Sequence, residues 1–384
     1  MTSLPLRDIA CIMPKASPTI VLVGGGHAHL GVLADWIRRG SPEARTIMLS
    51  LQRQTRYSGM IPGTLAGEYG REEGLIDVAA LAGRAGAEFV EDRCIAIDPA
   101  GRTLATASGQ RIAFDYCSID TGGVGQATGT IGEDPRIVDV RPIGTFLARI
   151  DERIAGVAHR PRHLAVVGGG AGGVELAFAL RRRFGSAPRI TLVTGADGAL
   201  PGFGNRARAL LERELARHAI GALADNARVE RGTFYAGGQS LEPLDIVITS
   251  LGAAAPEWPA QGGLAVDPDG FIAVDRHQRS LSHPHVLAAG DVAARQDMPV
   301  ARSGVHAVHS GKALAANLRH LATGRGRLRS YRPRPASLYL LSTGPRTAIA
   351  IYGPIALRGR WPGTLKCWID RRWVESFAKL AQSV

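Results

Sequence analysis

Residues 164–180, LAVVGGGAGGVELAFAL, decide how this chain folds. The apolar start of the stretch predicts a buried strand, and its Ala- and Leu-rich end predicts a helix. Between them, Gly168, Gly170 and Gly173 follow the G-x-G-x-x-G spacing. The first glycine permits a tight turn, the second lets the backbone approach a pyrophosphate, and the third lets the helix pack on the strand. Because the helix N-terminus also offers unpaired N–H groups, the stretch predicts a dinucleotide-binding unit.

A second glycine-rich turn lies near the start of the chain, where VLVGGGHAHL follows an apolar strand predicted over residues 19–23. Gly24 and Gly26 match the first two glycines, but His29 stands in the third position. We expect this bulky side chain to push the helix slightly away from the strand. Two such turns in one chain are a much more specific signal than either alone.

The strand that follows the first turn, predicted over residues 46–50, ends on Ser50, where an acidic residue ordinarily holds a ribose. Ser50 can bond a ribose hydroxyl, and Arg53 can stack on adenine or pair with a phosphate. The alternative is a plain αβ unit without a ligand. The next stretch, RYSGMIPGTLAG at residues 56–67, is too irregular for the start of a helix. Its glycines allow close backbone approach, so we expect it to lie beside a ligand.

Other predicted strands also end in small residues that suit a nucleotide lying across strand ends. FDYCSIDTGG ends on residues 121–123, and AAGD ends on Gly290 and Asp291. Asp291 can accept hydrogen bonds from sugar hydroxyls. After the central stretch, the next strand ends on Thr194 with neither an acid nor an arginine directly at its end. NADH and NADPH therefore both stay open, with a slight preference for NADH.

Further predicted elements complete the two units. A β-meander over residues 89–97, 103–106 and 112–120 is attached to the first unit, and a charged helix over 145–158 precedes the second. The second unit closes with a helix and strands, and the last of these runs into SLGAAAPEW. A long helix over 305–321 carries His306 and His309. Two histidines three residues apart lack a nearby carboxylate or cysteine, so no metal site is predicted.

Composition bounds the class of protein. The 384 residues are 45% hydrophobic and 21% charged, which fits two or three globular domains. Four scattered cysteines (Cys11, Cys94, Cys117 and Cys367) favour reduced thiols over a zinc site or a disulfide framework. The apolar patch at residues 9–13 is too short for a signal peptide, and no transmembrane helix is predicted.

The charge of +12 is mostly arginine, since only four of the 46 basic residues are lysine. A GC-rich genome accounts for this, and attraction to anionic lipid headgroups is the alternative. Nucleic acid is not predicted as a partner, because the arginines are dispersed and no binding module is present. The tail, residues 357–384, places Trp361, Trp368 and Trp373 with several apolar residues at helical spacing on one face. That face either lies at a membrane surface or packs on the protein's own core.

The ordered motifs GGG at 24, TGG at 121, GGGAGGVE at 168 and AAGD at 288 resemble the flavoproteins with two dinucleotide-binding domains. These include pyridine nucleotide–disulfide oxidoreductases, type II NADH dehydrogenases and sulfide:quinone reductases. GGGHAHL, YSGMIPG and LKCWIDRRW are most similar to the branch fused to selenide, water dikinase. The resemblance covers about residues 19–377. It implies an α/β fold of two Rossmann-like, three-layer ββα domains, with the NAD(P)H domain inserted into the FAD domain.

The resemblance implies an FAD domain at 18–125 and 262–325, an NAD(P)H domain at 126–261, and a C-terminal interface or membrane-surface segment at 326–384. It implies Glu175 near the nicotinamide and Lys366 near the flavin as catalytic residues. The predicted cofactor-binding residues are Gly24, Gly26, His27, Ser50, Arg53, Ser58, Gly59, Pro62, Thr121, Gly122, Gly123, Gly168, Gly170, Gly173, Gly252, Gly290 and Asp291.

The predicted function is an FAD-dependent NAD(P)H oxidoreductase that passes a hydride from NAD(P)H to FAD and then electrons to a diffusible acceptor, a quinone. No cysteine pair follows the first glycine turn, which disfavours disulfide reduction, and the Ala-Gln quinone signature of type II NADH dehydrogenases is missing. A sulfide- or selenium-linked flavoenzyme and a flavin redox sensor without turnover are the alternatives. We expect a cytoplasmic protein, with peripheral contact to an anionic inner membrane and a homodimer both left open.

Overall fold

The computed structural model describes residues 17–333 and 336–382. Cys11 and the apolar patch at residues 9–13 lie outside the described residues.

The strands in chain order are Thr19–Val23 (β1), Arg45–Ser50 (β2), Gln54–Arg56 (β3), Leu75–Asp77 (β4), Glu88–Glu91 (β5), Cys94–Asp98 (β6), Thr103–Thr106 (β7), Arg111–Ala113 (β8), Tyr116–Ile119 (β9), Ile137–Asp139 (β10), His163–Val167 (β11), Arg189–Val193 (β12), Ile220–Leu223 (β13), Ala227–Glu230 (β14), Thr233–Ala236 (β15), Gln239–Ser240 (β16), Ile246–Thr249 (β17), Ile272–Val274 (β18), Val286–Ala288 (β19), Ala293–Arg295 (β20), Leu338–Gly344 (β21), Thr347–Tyr352 (β22) and Ile355–Gly359 (β23).

The α-helices are His27–Arg39 (α1), Ile61–Leu65 (α2), Val78–Arg84 (α3), Ala127–Ile131 (α4), Ile143–Ala155 (α5), Ala171–Phe184 (α6), Asn205–Arg217 (α7), Trp258–Gln261 (α8), Gly304–Thr323 (α9) and Arg360–Gln382 (α10). Single 3-10 turns form at Ser58–Met60 and Gly290–Val292.

The first parallel sheet has the strand order β19-β9-β1-β2-β5. Alternate residues of β1 point to opposite faces, so both faces of the sheet are apolar. Ile20 and Leu22 pack beneath α1, α3 and α9. Val21 and Val23 pack against Leu104 of the antiparallel sheet β6-β7-β8. Helices, parallel sheet and antiparallel sheet thus form the three predicted layers.

The second parallel sheet repeats this architecture in the order β10-β17-β11-β12-β13. Leu164 and Val166 of β11 pack under α6, among other helices. Ala165 and Val167 pack against Phe234 of the antiparallel sheet β14-β15-β16. In chain order the whole second sheet lies between β9 and β19, which are neighbours in the first sheet. The predicted α/β fold with two Rossmann-like units, one inserted into the other, is confirmed.

The C-terminal part contains an antiparallel sheet, β21-β22-β23, that the sequence analysis did not identify. Leu341, Ile349 and Ile351 on its inner face join the core of the second unit. The following helix α10 places Trp373 and Phe377 in the core of the first unit. The C-terminal part therefore packs on both units.

Several local predictions were wrong. The stretch 56–67 is a 3-10 turn followed by α2, with Pro62 in the first turn, where a missing N–H costs no helical hydrogen bond. Residues 89–97 and 112–120 each divide into two strands, because one part of each joins the parallel sheet and the other the meander. The tail tryptophans do not share one face, because Trp373 packs inward while Trp361 and Trp368 are each 56% exposed.

Candidate functional site

The first glycine turn lies at the carboxyl end of β1, where the strand order reverses between β2 and β9. Ligands bind at this kind of crevice in open α/β sheets. Gly24 has φ +95°, and a Cβ there would lie 2.5 Å from the carbonyl oxygen of Asp120. The turn leads directly into α1, whose N-cap is Gly26. Any residue other than glycine at position 24 would therefore have a strained backbone and a steric clash with Asp120.

Asp120, which the sequence analysis did not select, stands at the centre of this edge. Its carboxylate accepts the backbone N–H of His29 at 3.0 Å, and its side chain is buried. A Cβ on either Gly26 or Gly290 would overlap that carboxylate. Burial raises the pKa of Asp120 to about 7. The available sequence signal was an acid at the end of a buried strand, directly before the TGG turn.

His29 is accommodated at the third glycine position by hydrogen bonds. Its ring is fully buried, with Nδ1 2.6 Å from the carbonyl of Gly24 and Nε2 2.8 Å from the hydroxyl of Ser118. A carbonyl only accepts, so Nδ1 carries the proton and Nε2 accepts from Ser118. Burial lowers the pKa of His29 to about 4, so the ring is neutral at pH 7. His29 therefore supports the turn and is not free for a ligand.

The other residues predicted for the first cofactor lie along the same edge and the loop beside it. Ser50 donates to the carbonyl of Gln52 at 3.0 Å, and the Arg53 guanidinium lies 5.7 Å from the Phe89 ring. Asp291, in the turn after β19, forms a 2.8 Å ion pair with Arg141. The residues at the ends of β1, β9 and β19 are Gly24, Gly26, Thr121, Gly122, Gly123, Gly290 and Asp291.

The second glycine turn lies at the carboxyl end of β11. A Cβ on Gly168 would overlap the Ser250 carbonyl, and one on Gly173 would overlap the Gly168 carbonyl. A Cβ on Gly170 would meet no described atom within 4 Å. Gly252, after the neighbouring strand β17, has φ +95°. The first and third glycines thus serve close packing, and the second leaves space in front of the backbone, which a pyrophosphate requires.

Glu175 and Lys366, which are far apart in sequence, meet in a buried cluster of charged side chains. Lys366 Nζ lies 3.6 Å from Glu175 Oε1 and 3.5 Å from Asp370 Oδ2. It also donates to the carbonyl of Gly59 at 3.3 Å. Glu175 Oε1 accepts the N–H of Ser342 at 2.9 Å. The cluster therefore joins α6, α10, the C-terminal sheet and the loop around Gly59.

The protonation of this cluster follows from two carboxylates facing one ammonium group. Burial alone would lower the pKa of Lys366, but Glu175 and Asp370 outweigh it and raise that pKa. Burial raises the pKa of Asp370 although Lys366 opposes the shift. Burial and the nearby Asp370 charge also raise the pKa of Tyr57. Lys366 is therefore charged at pH 7, and Asp370 is the carboxylate that binds a proton more readily than usual.

An aromatic group lies next to this cluster. The rings of His27, Tyr57 and Trp373 contact one another, with centroids 4.3 to 5.6 Å apart. His27 Nε2 is buried and has no hydrogen-bond partner within the described residues. Burial lowers the pKa of His27 to about 4. His27 is thus a neutral ring with an unsatisfied nitrogen between the first glycine turn and α10.

The remaining candidate groups have structural contacts. Cys94 and Cys117 are buried, and burial raises the pKa of the Cys94 thiol to about 12. His306 Nδ1 lies 2.8 Å from the hydroxyl of Tyr331. Across residues 17–333 and 336–382, no three His, Cys, Asp or Glu side chains are grouped so as to hold a metal.

The sequence and the fold of this chain both match known proteins. Residues 18–311 match the family model described as pyridine nucleotide-disulphide oxidoreductase. The chain belongs to this family. It is 28% identical over 294 residues to the ferredoxin–NAD(+) reductase component of the biphenyl dioxygenase system of Paraburkholderia xenovorans. That match covers 72% of this chain and 67% of the relative.

Two solved structures share the fold of this chain. The sulfide:quinone oxidoreductase of Aquifex aeolicus superposes with a TM-score of 0.77 and 17% identity, over 95% of this chain and 92% of the other. NDH2 of Plasmodium falciparum in complex with NADH superposes with a TM-score of 0.76 and 13% identity, over 94% and 98%. Membership of the family makes the chain an FAD-dependent NAD(P)H oxidoreductase, with FAD and NAD(P)H as cofactors.

Proposed function

We propose that the chain passes a hydride from NAD(P)H to FAD and then passes electrons to a diffusible quinone. In this proposal FAD binds residues 18–125 and 262–325, NAD(P)H binds 126–261, and residues 326–384 line the acceptor side. When bound, FAD supplies the step between a two-electron donor and the acceptor, so the protein mainly sets distance and electrostatics.

The proposed FAD contacts are the residues at the ends of the first-sheet strands and in the loop around Gly59. His27 is included because its buried Nε2 has no hydrogen-bond partner within the described residues and its ring contacts Tyr57, directly before that loop. The FAD-binding residues are Gly24, Gly26, His27, Ser50, Arg53, Ser58, Gly59, Pro62, Thr121, Gly122, Gly123, Gly290 and Asp291. Those for NAD(P)H are Gly168, Gly170, Gly173 and Gly252.

The contact between Glu175 and Lys366 carries the proposal. Glu175 comes from the second unit and Lys366 from the C-terminal helix, and Lys366 also contacts Gly59 of the first unit. A charged cluster that touches both nucleotide units and the C-terminal part is suited to the place where donor, flavin and acceptor meet. We assign Glu175 to orientation of the nicotinamide carboxamide and Lys366 to the acceptor side.

The thiols favour this proposal over sulfide chemistry. A thiolate is the reactive form of cysteine, and the raised pKa values of Cys94 and Cys117 keep both protonated at pH 7. Cys367 lies next to Lys366 on α10, and among the cysteines of the described residues it is the one that is not buried and that sulfide chemistry would use. A Cys367→Ser variant that turns over NAD(P)H normally supports the quinone proposal, and a dead variant favours a thiol-dependent reaction.

An anaerobic stopped-flow titration tests the proposal directly. NADH or NADPH is mixed with the purified protein while the flavin absorbance band is followed, and quinones are then screened by reoxidation. Bleaching within milliseconds to seconds, followed by reoxidation by a quinone, is the expected result. A flavin that neither nucleotide bleaches would refute the proposal and favour the sulfide or sensor alternatives.

We also propose that the outer face of the C-terminal part contacts an anionic membrane surface. Leu338, Tyr352 and Ile355 are successive cross-strand neighbours and are 43%, 55% and 54% exposed. Trp361 and Trp368 on α10 add two exposed indoles. Exposed apolar patches of this kind mark interaction sites, and Trp beside Arg suits a lipid interface.

The cations near this face support a lipid partner. Arg372 lies 5.3 Å from the Trp368 ring, and Arg360 is exposed one residue before Trp361. No helix in the described part of the chain is long and apolar enough to span a bilayer. The proposed contact lies at the lipid interface, where exposed Trp side chains beside Arg are suited.

Vesicle co-sedimentation tests this contact. We expect the protein to sediment with vesicles that contain anionic phospholipid, and the Trp361→Ser, Trp368→Ser double variant to stay in solution. Leu281→Ser is the matched control, because Leu281 is 54% exposed and lies between β18 and β19, outside the C-terminal part. Equal sedimentation of wild type and double variant would refute the membrane proposal.

A further inference from the structure

Arg141 contacts three backbone segments through one guanidinium group. Its Nη2 lies 2.8 Å from Asp291 Oδ2, its Nε donates to the Gly252 carbonyl at 3.3 Å, and its Nη1 donates to the Gly123 carbonyl at 3.5 Å. The Arg141 side chain is 16% exposed and that of Asp291 is 17% exposed. The ion pair is thus largely shielded from solvent, where such pairs are least screened by salt.

The three acceptors belong to different strand ends. Gly123 follows β9 and Asp291 follows β19, both in the first sheet, whereas Gly252 follows β17 in the second. Arg141 itself follows β10, the edge strand of the second sheet. A single side chain from the second unit therefore touches both predicted nucleotide-binding edges.

The backbone of Arg141 is itself held in place. Asp139 Oδ1 accepts the Arg141 N–H at 2.9 Å. Arg149 donates to the carbonyls of Asp139 and Arg141 at 2.7 and 3.0 Å. Arg141 and Arg149 also line a cleft of about 800 Å³ beside α4. The backbone from which the Arg141 side chain extends is therefore fixed, which lowers the entropy cost of the guanidinium contacts.

We propose that Arg141 is a positioning residue for FAD: it holds Asp291 in the orientation that accepts the ribityl hydroxyls, and it ties that contact to the edge of the second unit. The inference rests on the proposed function, because Asp291 is assigned there to FAD. FAD carries a negatively charged diphosphate, so an unpaired Asp291 would also repel it. Arg141 offsets that charge and fixes the carboxylate at the same time.

The side-chain chemistry of arginine is required for this role. Its planar group donates in several fixed directions, whereas lysine offers a single point charge. Arg141→Lys should therefore keep part of the attraction to Asp291 and lose the two carbonyl contacts. We expect its FAD affinity to lie between those of the wild type and Arg141→Gln.

A double-mutant cycle on FAD binding tests the inference. FAD is titrated into FAD-stripped wild type, Arg141→Gln, Asp291→Asn and the double variant, and quenching of flavin fluorescence gives Kd. We expect Kd to rise at least about tenfold in each single variant and no further in the double variant, because Arg141 acts through Asp291. Arg228→Gln, which breaks a surface pair with Glu230, is the matched control.

The outcomes separate this inference from the proposed function. If Asp291→Asn weakens FAD binding but Arg141→Gln binds normally, the role of Arg141 is refuted and the FAD site stands. The inference is also refuted if the increase in Kd in the double variant equals the product of the two single-variant increases, because Arg141 would then act independently of Asp291. If Asp291→Asn binds FAD like the wild type, the assignment of Asp291 fails and the inference fails with it. Equal thermal midpoints of the FAD-free proteins show that reduced affinity is not a folding defect.

Discussion

The carboxylate of Asp120 is buried against the N-terminus of α1, and its pKa of about 7 makes the native state pH-sensitive. An unfolded aspartate has a pKa of about 3.9. The group therefore favours the native state fully below about pH 4, and this contribution is lost as pH rises toward 7. Asp120→Asn should remove a slope that approaches about 1.4 kcal/mol per pH unit in this window.

Urea unfolding of wild type and Asp120→Asn from pH 4 to 8 measures this slope as a difference. The difference is needed because His27 and His29, whose pKa values fall to about 4, produce the opposite slope as pH decreases. Asp269→Asn, at an aspartate whose side chain is 72% exposed, is the control. Parallel curves for wild type and Asp120→Asn would contradict the prediction.

Lys366 lies between two buried carboxylates, those of Glu175 and Asp370, so its loss should affect both stability and electron transfer. Lys366→Met leaves Glu175 and Asp370 without their partner, a change that costs about 3–5 kcal/mol for a buried pair. We expect reoxidation by quinone to slow about 10²-fold. Flavin reduction by NAD(P)H should slow less, because Glu175 loses its cation but still accepts the N–H of Ser342. Stopped-flow measurement of each half-reaction gives the two rates.

Lys379→Met removes the same charge from an exposed position on α10 and is the control for Lys366→Met. Equal slowing of both half-reactions would indicate general damage to the site. Unchanged reoxidation would contradict the acceptor-side role of Lys366.

At this scale the sequence identifies residues whose role is local. Gly168, Gly170 and Gly173 follow a spacing that a strand–turn–helix requires, so they can be read directly. The sequence does not identify Asp120 and Arg141, because their importance depends on partners from distant segments, such as His29 and Asp291. The resemblance to a known family supplied Glu175 and Lys366, and no spacing rule brings two residues so distant in sequence into contact.

Helices α1 and α9 cross at a contact between two glycines. A Cβ on Gly31 would lie 3.1 Å from the Gly311 Cα, and one on Gly311 would lie 2.6 Å from the Ala28 carbonyl. Gly311→Ala should therefore force the helices apart and destabilise the protein by about 1–3 kcal/mol. Chemical denaturation measures the loss.

Gly83→Ala is the matched control for this crossing. Gly83 also lies in a helix, but a Cβ there would meet no described atom within 4 Å. Replacing it should stabilise the protein by about 0.5–1 kcal/mol, since glycine is costly in a helix. If Gly311→Ala were as stable as Gly83→Ala, the two helices would not be packed as tightly as the structure indicates.

The boundaries of helices and strands show which structural information a sequence pattern holds and which depends on tertiary packing. Strands β1 and β11 each contain a buried apolar run of four residues that ends at a glycine turn, and both strands were predicted. The division of residues 89–97 was missed because it follows from which sheet each half joins. In α10, periodicity indicated an apolar helix but could not show that Trp373 faces the core while Trp368 faces outward.

The whole molecule is held together by contacts that cross between the two units. Arg141 pairs with Asp291, Lys366 links Glu175 to Gly59, and Phe377 lies in the core of the first unit. These contacts are buried or largely shielded, so separating the units would leave unpaired charges and exposed apolar surface. We infer that neither unit is stable in its native form without the other.

Calorimetry with and without FAD tests this inference. If the units unfold together, the chain gives one transition, and FAD at about 100 times its Kd stabilises the whole molecule by about 2.7 kcal/mol. We expect a single peak whose transition temperature rises when FAD is added, although FAD is assigned mainly to the first unit. Two peaks, of which FAD moves only one, would mean that the contacts made by Arg141 and Lys366 are too weak to couple the units.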